Sequence, residues 1–170
     1  MIQTGSYDNA KHLYNLLTAE NKKRCFLYNG SKNKQEILNK ISHNTNYVII
    51  GPSLNEGIDM PGDLCDFIIV MKIPYLSMGD KYVNKKMRMF KGWYNSVAAT
   101  NLIQGIGRGN RFDKDKCDIY ILDKCFDRLY KLTKSQFPDY ITKRFIYDYD
   151  IYDNGIYDND MTNNENKEAA

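Results

Sequence analysis

Two stretches of the sequence concentrate residues that can do chemistry. The first, Gly51-Pro-Ser-Leu-Asn-Glu-Gly-Ile-Asp-Met-Pro-Gly62, follows an apolar run and sets Glu56 and Asp59 three residues apart among glycines. Carboxylates at that spacing reach a common site, where one can accept a ribose hydroxyl hydrogen bond or hold an arginine. Gly51, Gly57 and Gly62 permit tight turns and close approach of backbone to a ligand. The second, Gln104-Gly-Ile-Gly-Arg-Gly-Asn-Arg111, carries two arginines and a glutamine among three glycines. Guanidinium groups are planar, permanently charged and bidentate, which suits phosphate. An arginine on a terminal phosphate stabilises charge in phosphoryl transfer and contributes about 10³–10⁵ in rate. Taken alone, Glu56-Gly-Ile-Asp59 also fits a turn with solvated acids, and Arg108 and Arg111 also fit a basic, solvated helix end.

The elements that must position these residues read as follows. Tyr47-Val-Ile-Ile50, Phe67-Ile-Ile-Val-Met71 and Ile119-Tyr-Ile-Leu122 are short apolar runs, with Cys25-Phe-Leu-Tyr28 and Met1-Ile2-Gln3 as shorter candidates. They read as strands buried on both faces, as in a parallel sheet. Helical patterns fall at about 7–18, 33–42, 79–90, 94–108 and 126–134. The first has Ser6 as N-cap and Leu13, Leu16 and Leu17 on one side. The alternation predicts a three-layer α/β domain with a mainly parallel sheet. In such sheets ligands gather at the carboxyl ends of strands, which is where the 51–62 loop leaves its strand. On a helix over 98–111, Ala99, Leu102, Ile103 and Ile106 form an apolar face, with Gln104, Arg108 and Arg111 opposite. Three glycines at 105, 107 and 109 each weaken a helix by roughly 1 kcal/mol relative to alanine. Either the backbone there approaches a ligand or a neighbouring domain closely, or the helix ends near Gly107.

Three further features bear on binding. Thr4, Gly5 and Ser6 sit between a strand and a helix, where backbone N–H groups can hold a phosphate. Ser31 and Lys32 occupy a similar turn, and both turns also read as ordinary caps. Lys81, Lys85, Lys86, Arg88 and Lys91 interleave with Tyr82, Phe90, Trp93 and Tyr94, and charge with aromatic stacking is how single strands are held without sequence preference. The alternative is an amphipathic helix with Met87 and Phe90 inward.

The chain has 170 residues, 24 basic and 21 acidic, but the charge is uneven. Residues 148–170 hold seven acids and one base, which leaves residues 1–147 with a net charge of +9. A basic body suits a polyanionic partner. The tail repeats Ile-Tyr-Asp at 146, 151 and 156 and is rich in Asn and Asp, so it is expected to be disordered. It reads either as a neutral repeat expansion or as an acidic arm covering the basic face. No apolar run approaches the roughly 18–20 residues of a membrane span, and no secretory signal is visible. The four cysteines lack C-x-x-C or zinc spacing, so no metal is assigned to them. Free buried thiols in a reducing, cytoplasmic setting are expected.

In order and spacing, these segments resemble the XPD/DinG family of superfamily 2 DNA helicases over roughly residues 1–135. Gly51–Gly62 looks like motif V, Gln104–Arg111 like motif VI, and Gln3–Tyr7 like motif IV. Lys72-Ile-Pro-Tyr75 followed by Gly79-Asp80 matches a further family segment. The resemblance implies a second RecA-like motor domain over residues 1–147, with the tail beyond. It implies that Arg108 and Arg111 are arginine fingers supported by Gln104, and that Glu56, Gly57, Asp59 and Gly107 face ATP. It likewise implies that Thr4, Gly5, Ser6, Ser31, Lys32 and Ser53 contact single-stranded DNA, with Lys85, Lys86 and Arg88 as further candidates. The sequence contains no G-x-x-x-x-G-K-[ST] phosphate cradle and no D-E-x-H box. ATP with Mg²⁺ would therefore be held mainly by a first motor domain, in cis or in trans, and the chain alone is not expected to hydrolyse it. The family's iron–sulfur cysteines belong to that first domain. The likeness begins inside the motif IV strand, which suggests a fragment, a split-gene product or an isolated domain. The rival expectation is a stand-alone nucleic-acid-binding or regulatory module, or a helicase remnant without ATPase activity.

Overall fold

The computed structural model describes residues 1–30, 33–41, 46–52, 65–109 and 117–142. Ser31, Lys32, Ser53, Glu56, Gly57, Asp59, Arg111 and the 148–170 tail lie outside them. Five strands, β1 (Ile2–Gln3), β2 (Cys25–Leu27), β3 (Val48–Gly51), β4 (Phe67–Val70) and β5 (Asp118–Ile121), form one sheet in the order β2-β3-β1-β4-β5. Every pairing is parallel, with Ile2 opposite both Ile50 and Ile69. The expected α/β architecture with a parallel sheet is thus present. β3 is buried throughout, as an apolar run in a covered parallel sheet should be. β5 differs from the two-faced burial expected: among the described residues Asp118 and Tyr120 are exposed and Ile119 and Ile121 half-buried, so one of its faces is left uncovered.

The helices α1 (Tyr7–Leu16), α2 (Ala19–Lys22), α3 (Lys34–Ile41), α4 (Lys81–Met89), α5 (Trp93–Ile106) and α6 (Cys125–Thr133) connect these strands or follow them. α1 starts at Ser6, whose hydroxyl accepts from the Asn9 N–H at 3.1 Å. Its core face is Ala10, Leu13, Tyr14 and Leu17, packed with Val48 and Ile50. Leu16, expected on that face, is 70% exposed. The spacing i, i+3, i+4, i+7 from Ala10 excludes it, and Tyr14 fills the place instead. Ile50, Ile68 and Leu102 are fully enclosed, and burying each such side chain contributes about 1.5–3 kcal/mol.

Behind α6, Tyr130 and Phe137 meet edge-on with ring centroids 5.3 Å apart, and Phe126 lies 5.8 Å from Tyr130. A short 3₁₀ turn at Lys134–Gln136 then runs into Pro138. The first compact unit is Met1–Pro138 and the second begins at Asp139. Of the second, α7 (Asp139–Thr142) is one turn, in which the Thr142 hydroxyl donates to the Asp139 carbonyl at 3.2 Å.

Candidate functional site

Parallel strands give the sheet two unlike edges, and the candidate residues divide between them. At the carboxyl edge, β1 runs into Thr4-Gly5-Ser6. The Thr4 N–H donates to the Gly51 carbonyl at 2.9 Å, and the Gly5 N–H to the Pro52 carbonyl at 3.0 Å. The Thr4 hydroxyl also reaches the Gly51 carbonyl at 3.0 Å and the Ser6 carbonyl at 2.9 Å. Gly5 has φ +81°, and a Cβ there would lie 3.0 Å from the Lys72 Cβ. Glycine is therefore needed for both conformation and space. The structure brings Thr4 and Gly5 against the start of the 51–62 loop, but by using their amides internally. Thr4 is buried, so Ser6 is the more accessible side chain of the three.

The opposite edge holds the end of α5. Tyr94 donates its hydroxyl to the Leu76 carbonyl at 2.8 Å near the start of this helix, and Asn101 donates to the Pro74 carbonyl at 3.4 Å. The helix then buries Ala98, Ala99, Leu102, Gly105 and Ile106. It ends at Ile106, so Arg108 does not continue the helical face of Gln104 as the 98–111 helix had predicted. The Gly107 N–H donates to the Ile103 carbonyl at 2.9 Å, the Arg108 N–H to the Gly105 carbonyl at 3.3 Å and the Gly109 N–H to the Ile106 carbonyl at 3.4 Å. These bonds tighten the last turn, with three glycines reducing its helical preference. Gln104 is exposed and Arg108 half-buried.

What fixes this turn is a pair of buried cysteines that the sequence did not connect with it. Cys65 precedes β4 and Cys117 precedes β5, and their Sγ atoms lie 3.4 Å apart as free thiols. Cys117 donates its hydrogen to Cys65, and that bond together with burial pushes the Cys117 thiol far above the ordinary thiol range. Accepting it pulls the Cys65 thiol down. Gly109 packs directly on both: a Cβ there would fall 2.5 Å from the Cys117 Sγ and 3.1 Å from the Cys65 Sγ. Glycine at 109 therefore reflects close packing inside the domain, rather than the approach to a ligand or a neighbouring domain read from the sequence. The other reading, an early helix end near Gly107, holds, since α5 stops at Ile106.

Between β4 and α4, residues 71–80 are pinned from two sides. The Asp123 carboxylate accepts from the Ile73 N–H at 2.8 Å and the Cys125 N–H at 3.0 Å. Burial alone would raise its pKa, but these bonds and Lys72 outweigh it, and the group sits below the usual carboxylate value. An Asp directly after an apolar strand and before a helix is a local signal for a backbone cap, but nothing local names Ile73, 50 residues away, as its partner. Asp80 then caps α4, accepting from the Tyr82 N–H at 2.7 Å and the Val83 N–H at 3.4 Å. On α4, Val83 is buried while Lys81, Lys85 and Arg88 are exposed. Lys86 behaves differently: its ammonium sits 4.9 Å from the Tyr82 ring centroid and 5.2 Å from that of Trp93.

A family model described as the helicase C-terminal domain matches residues 1–144 of the chain. Among solved structures, XPD in its apo form matches with a TM-score of 0.59 and 22% sequence identity, over 78% of this chain and 30% of that one. At that identity the likeness is one of fold, and the chain spans about a third of the length of that structure. No curated protein matches the chain.

Proposed function

The chain belongs to the helicase C-terminal domain family, and we propose that it serves as the second motor domain of an XPD-like DNA helicase. In this reading Arg108 and Arg111 reach the terminal phosphate of ATP held by a first RecA-like domain. Gln104, Glu56, Gly57, Asp59 and Gly107 complete this chain's side of the composite site. Closing and opening of the two domains moves one DNA strand, contacted at Ser6, Ser31, Lys32 and Ser53, while Thr4 and Gly5, whose amides bond inside the fold, shape the turn that presents Ser6.

The observation that carries the reading is the turn after α5. Gln104 is exposed on its last turn, Arg108 follows within four residues, and Gly109 is seated on buried sulfur. An arginine on such a braced turn keeps its position with little entropic cost, which is what charge stabilisation in a transition state requires. The described residues fit one half of a nucleotide site. They offer a cation and an amide for phosphate, and among them no cluster of His, Cys, Asp or Glu is suited to a metal. In this reading groups on the first domain would hold Mg²⁺, which would neutralise phosphate charge there, and Arg108 would add a further positive charge. Among the described residues no helix is long and apolar enough to cross a membrane.

Reconstitution tests the proposal. The full chain is mixed with a first motor domain carrying the phosphate cradle, and DNA-stimulated ATP hydrolysis is measured. Stimulation that falls by about 10³-fold or more with Arg108→Ala is expected. Failure to stimulate, or indifference to that substitution, rejects the motor role.

A further inference from the structure

We infer that α4 carries a single-strand-binding surface in which Lys81, Lys85 and Arg88 hold backbone phosphates and Tyr82 and Met89 receive bases. This rests on the reading of the chain as a strand-engaging helicase domain and goes beyond it, because it assigns a surface away from the two sheet edges. At 3.6 residues per turn, Lys81, Lys85 and Arg88 fall within a roughly 60° arc. Buried Val83 lies on the far side of the helix. With Asn84 and Met89 they form one open face of the helix. Asn84 is held by its own bond to the Met78 carbonyl, which ties the start of α4 to the preceding loop.

Among the described residues none of Lys81, Lys85 and Arg88 makes an ion pair. The acid of this segment, Asp80, spends its carboxylate on capping the helix. Three neighbouring cations without a counter-charge repel one another and favour a polyanion.

The neighbouring strip decides which polyanion. Tyr82 is 63% exposed and Met89 62%, and on the helix Met89 and Tyr82 border Lys85. A cation row beside an apolar and aromatic row matches a strand whose phosphates and unpaired bases project to different sides. A duplex hides its bases and leaves the second row unused. Lys86 is excluded from the phosphate set. Its ammonium is engaged by the Tyr82 and Trp93 rings, where it stiffens the aromatic strip instead. In the sequence Lys81 belongs to the same basic stretch as Lys85, Lys86 and Arg88, and the i, i+4, i+7 spacing of 81, 85 and 88 is the signal that sets Lys86 apart.

The experiment is fluorescence anisotropy of a labelled 20-nucleotide oligo-dT with the full chain across a salt series. Each single-strand phosphate contact contributes about 0.7 to the slope of log affinity against log salt. The Lys81→Ala/Lys85→Ala/Arg88→Ala variant is expected to reduce that slope by about 2 and weaken binding on the order of 100-fold near 0.1 M salt. Lys86→Ala should keep the slope, and Tyr82→Ala should weaken binding at unchanged slope. Thermal unfolding of each variant controls for folding, and Lys81→Arg/Lys85→Arg/Arg88→Lys should restore the slope. An unchanged slope in the triple alanine variant overturns the inference. So does equal affinity for a 20-base-pair duplex, or binding to phosphatidylserine vesicles in place of the oligonucleotide. A wild-type chain that ignores oligo-dT also overturns it, whereas the motor reading stands or falls on the Arg108 reconstitution.

Discussion

Replacing Gly109 with alanine should disable the turn that carries Arg108 without touching the arginine itself. The added methyl would lie 2.5 Å from the Cys117 Sγ, 3.1 Å from the Cys117 Cβ and 3.1 Å from the Cys65 Sγ. Unstrained contacts between such atoms begin near 3.5 Å, so the closest must open by about 1 Å. Neither sulfur can swing into solvent, since Cys65 and Cys117 are both 5% exposed. The turn must therefore move outward and take Arg108 with it. Overpacking of this kind costs about 1–3 kcal/mol, and a domain of this size loses roughly 4 °C in Tm per kcal/mol. If Arg108 acts in the composite site, a displacement near 1 Å lowers DNA-stimulated ATPase by about 10²-fold. The decisive assay is a double-mutant cycle of Gly109→Ala with Cys117→Ala, read by thermal unfolding and by reconstituted ATPase. Removing the Cys117 Sγ deletes the worst contact, so the double variant should recover part of both losses. The two substitutions interact by more than about 0.5 kcal/mol if the packing argument holds. Strictly additive effects, or an alanine at 109 as stable and active as wild type, would refute it.

Three other outcomes follow from the same packing. Gln3 is 1% exposed in the central strand, and its side-chain nitrogen and oxygen are both buried with no hydrogen-bond partner among the described residues. Gln3→Met keeps the volume and removes a desolvation penalty of about 1–3 kcal/mol, so the midpoint of urea unfolding should rise. Asp123 has a depressed folded-state pKa, so its contribution to stability is present above the unfolded value near 3.9 and lost as pH falls through the lower folded value. Asp123→Asn should flatten that acid limb of a stability-against-pH curve and lower stability at neutral pH. Asp80→Ala removes the cap of α4 and should cost about 0.5–2 kcal/mol, with faster amide exchange over residues 81–85 as the local readout.

The sheet was legible from residue type alone wherever a run was apolar without interruption. Val48 to Gly51 and Phe67 to Val70 are strands for that reason. Even the two-residue β1 was visible, because Ile2 leads into a turn with a glycine and a serine cap. Burial was less legible. Leu16 looks like core by hydrophobicity, but rotation about the helix decides it, and Ala10 with Tyr14 set that rotation. Contacts between distant segments were not legible at all. Gly109 meets Cys65 and Cys117 only because β4 and β5 lie side by side, and no local pattern announces that Asp123 will cap the backbone at Ile73. Lys86 shows the same limit: its charge is plain in the sequence, while the two rings beside it come from α4 and α5.

The division of the sheet into two edges has a mechanical consequence. Thr4 and Pro52 stand at one end of strands about four residues long, and Cys65, Gly109 and Cys117 at the other. At 3.3 Å per residue that separation is about 13 Å. Hydrogen bonds run across all five strands, so the sheet behaves as a short rigid beam between them. Pivoting the beam by about 15° about its Gly109 end would carry the Thr4 end through roughly 3 Å, enough to make or break a hydrogen bond. Leverage of that size needs no flexible hinge inside the sheet, and a soft turn at Gly109 would squander it.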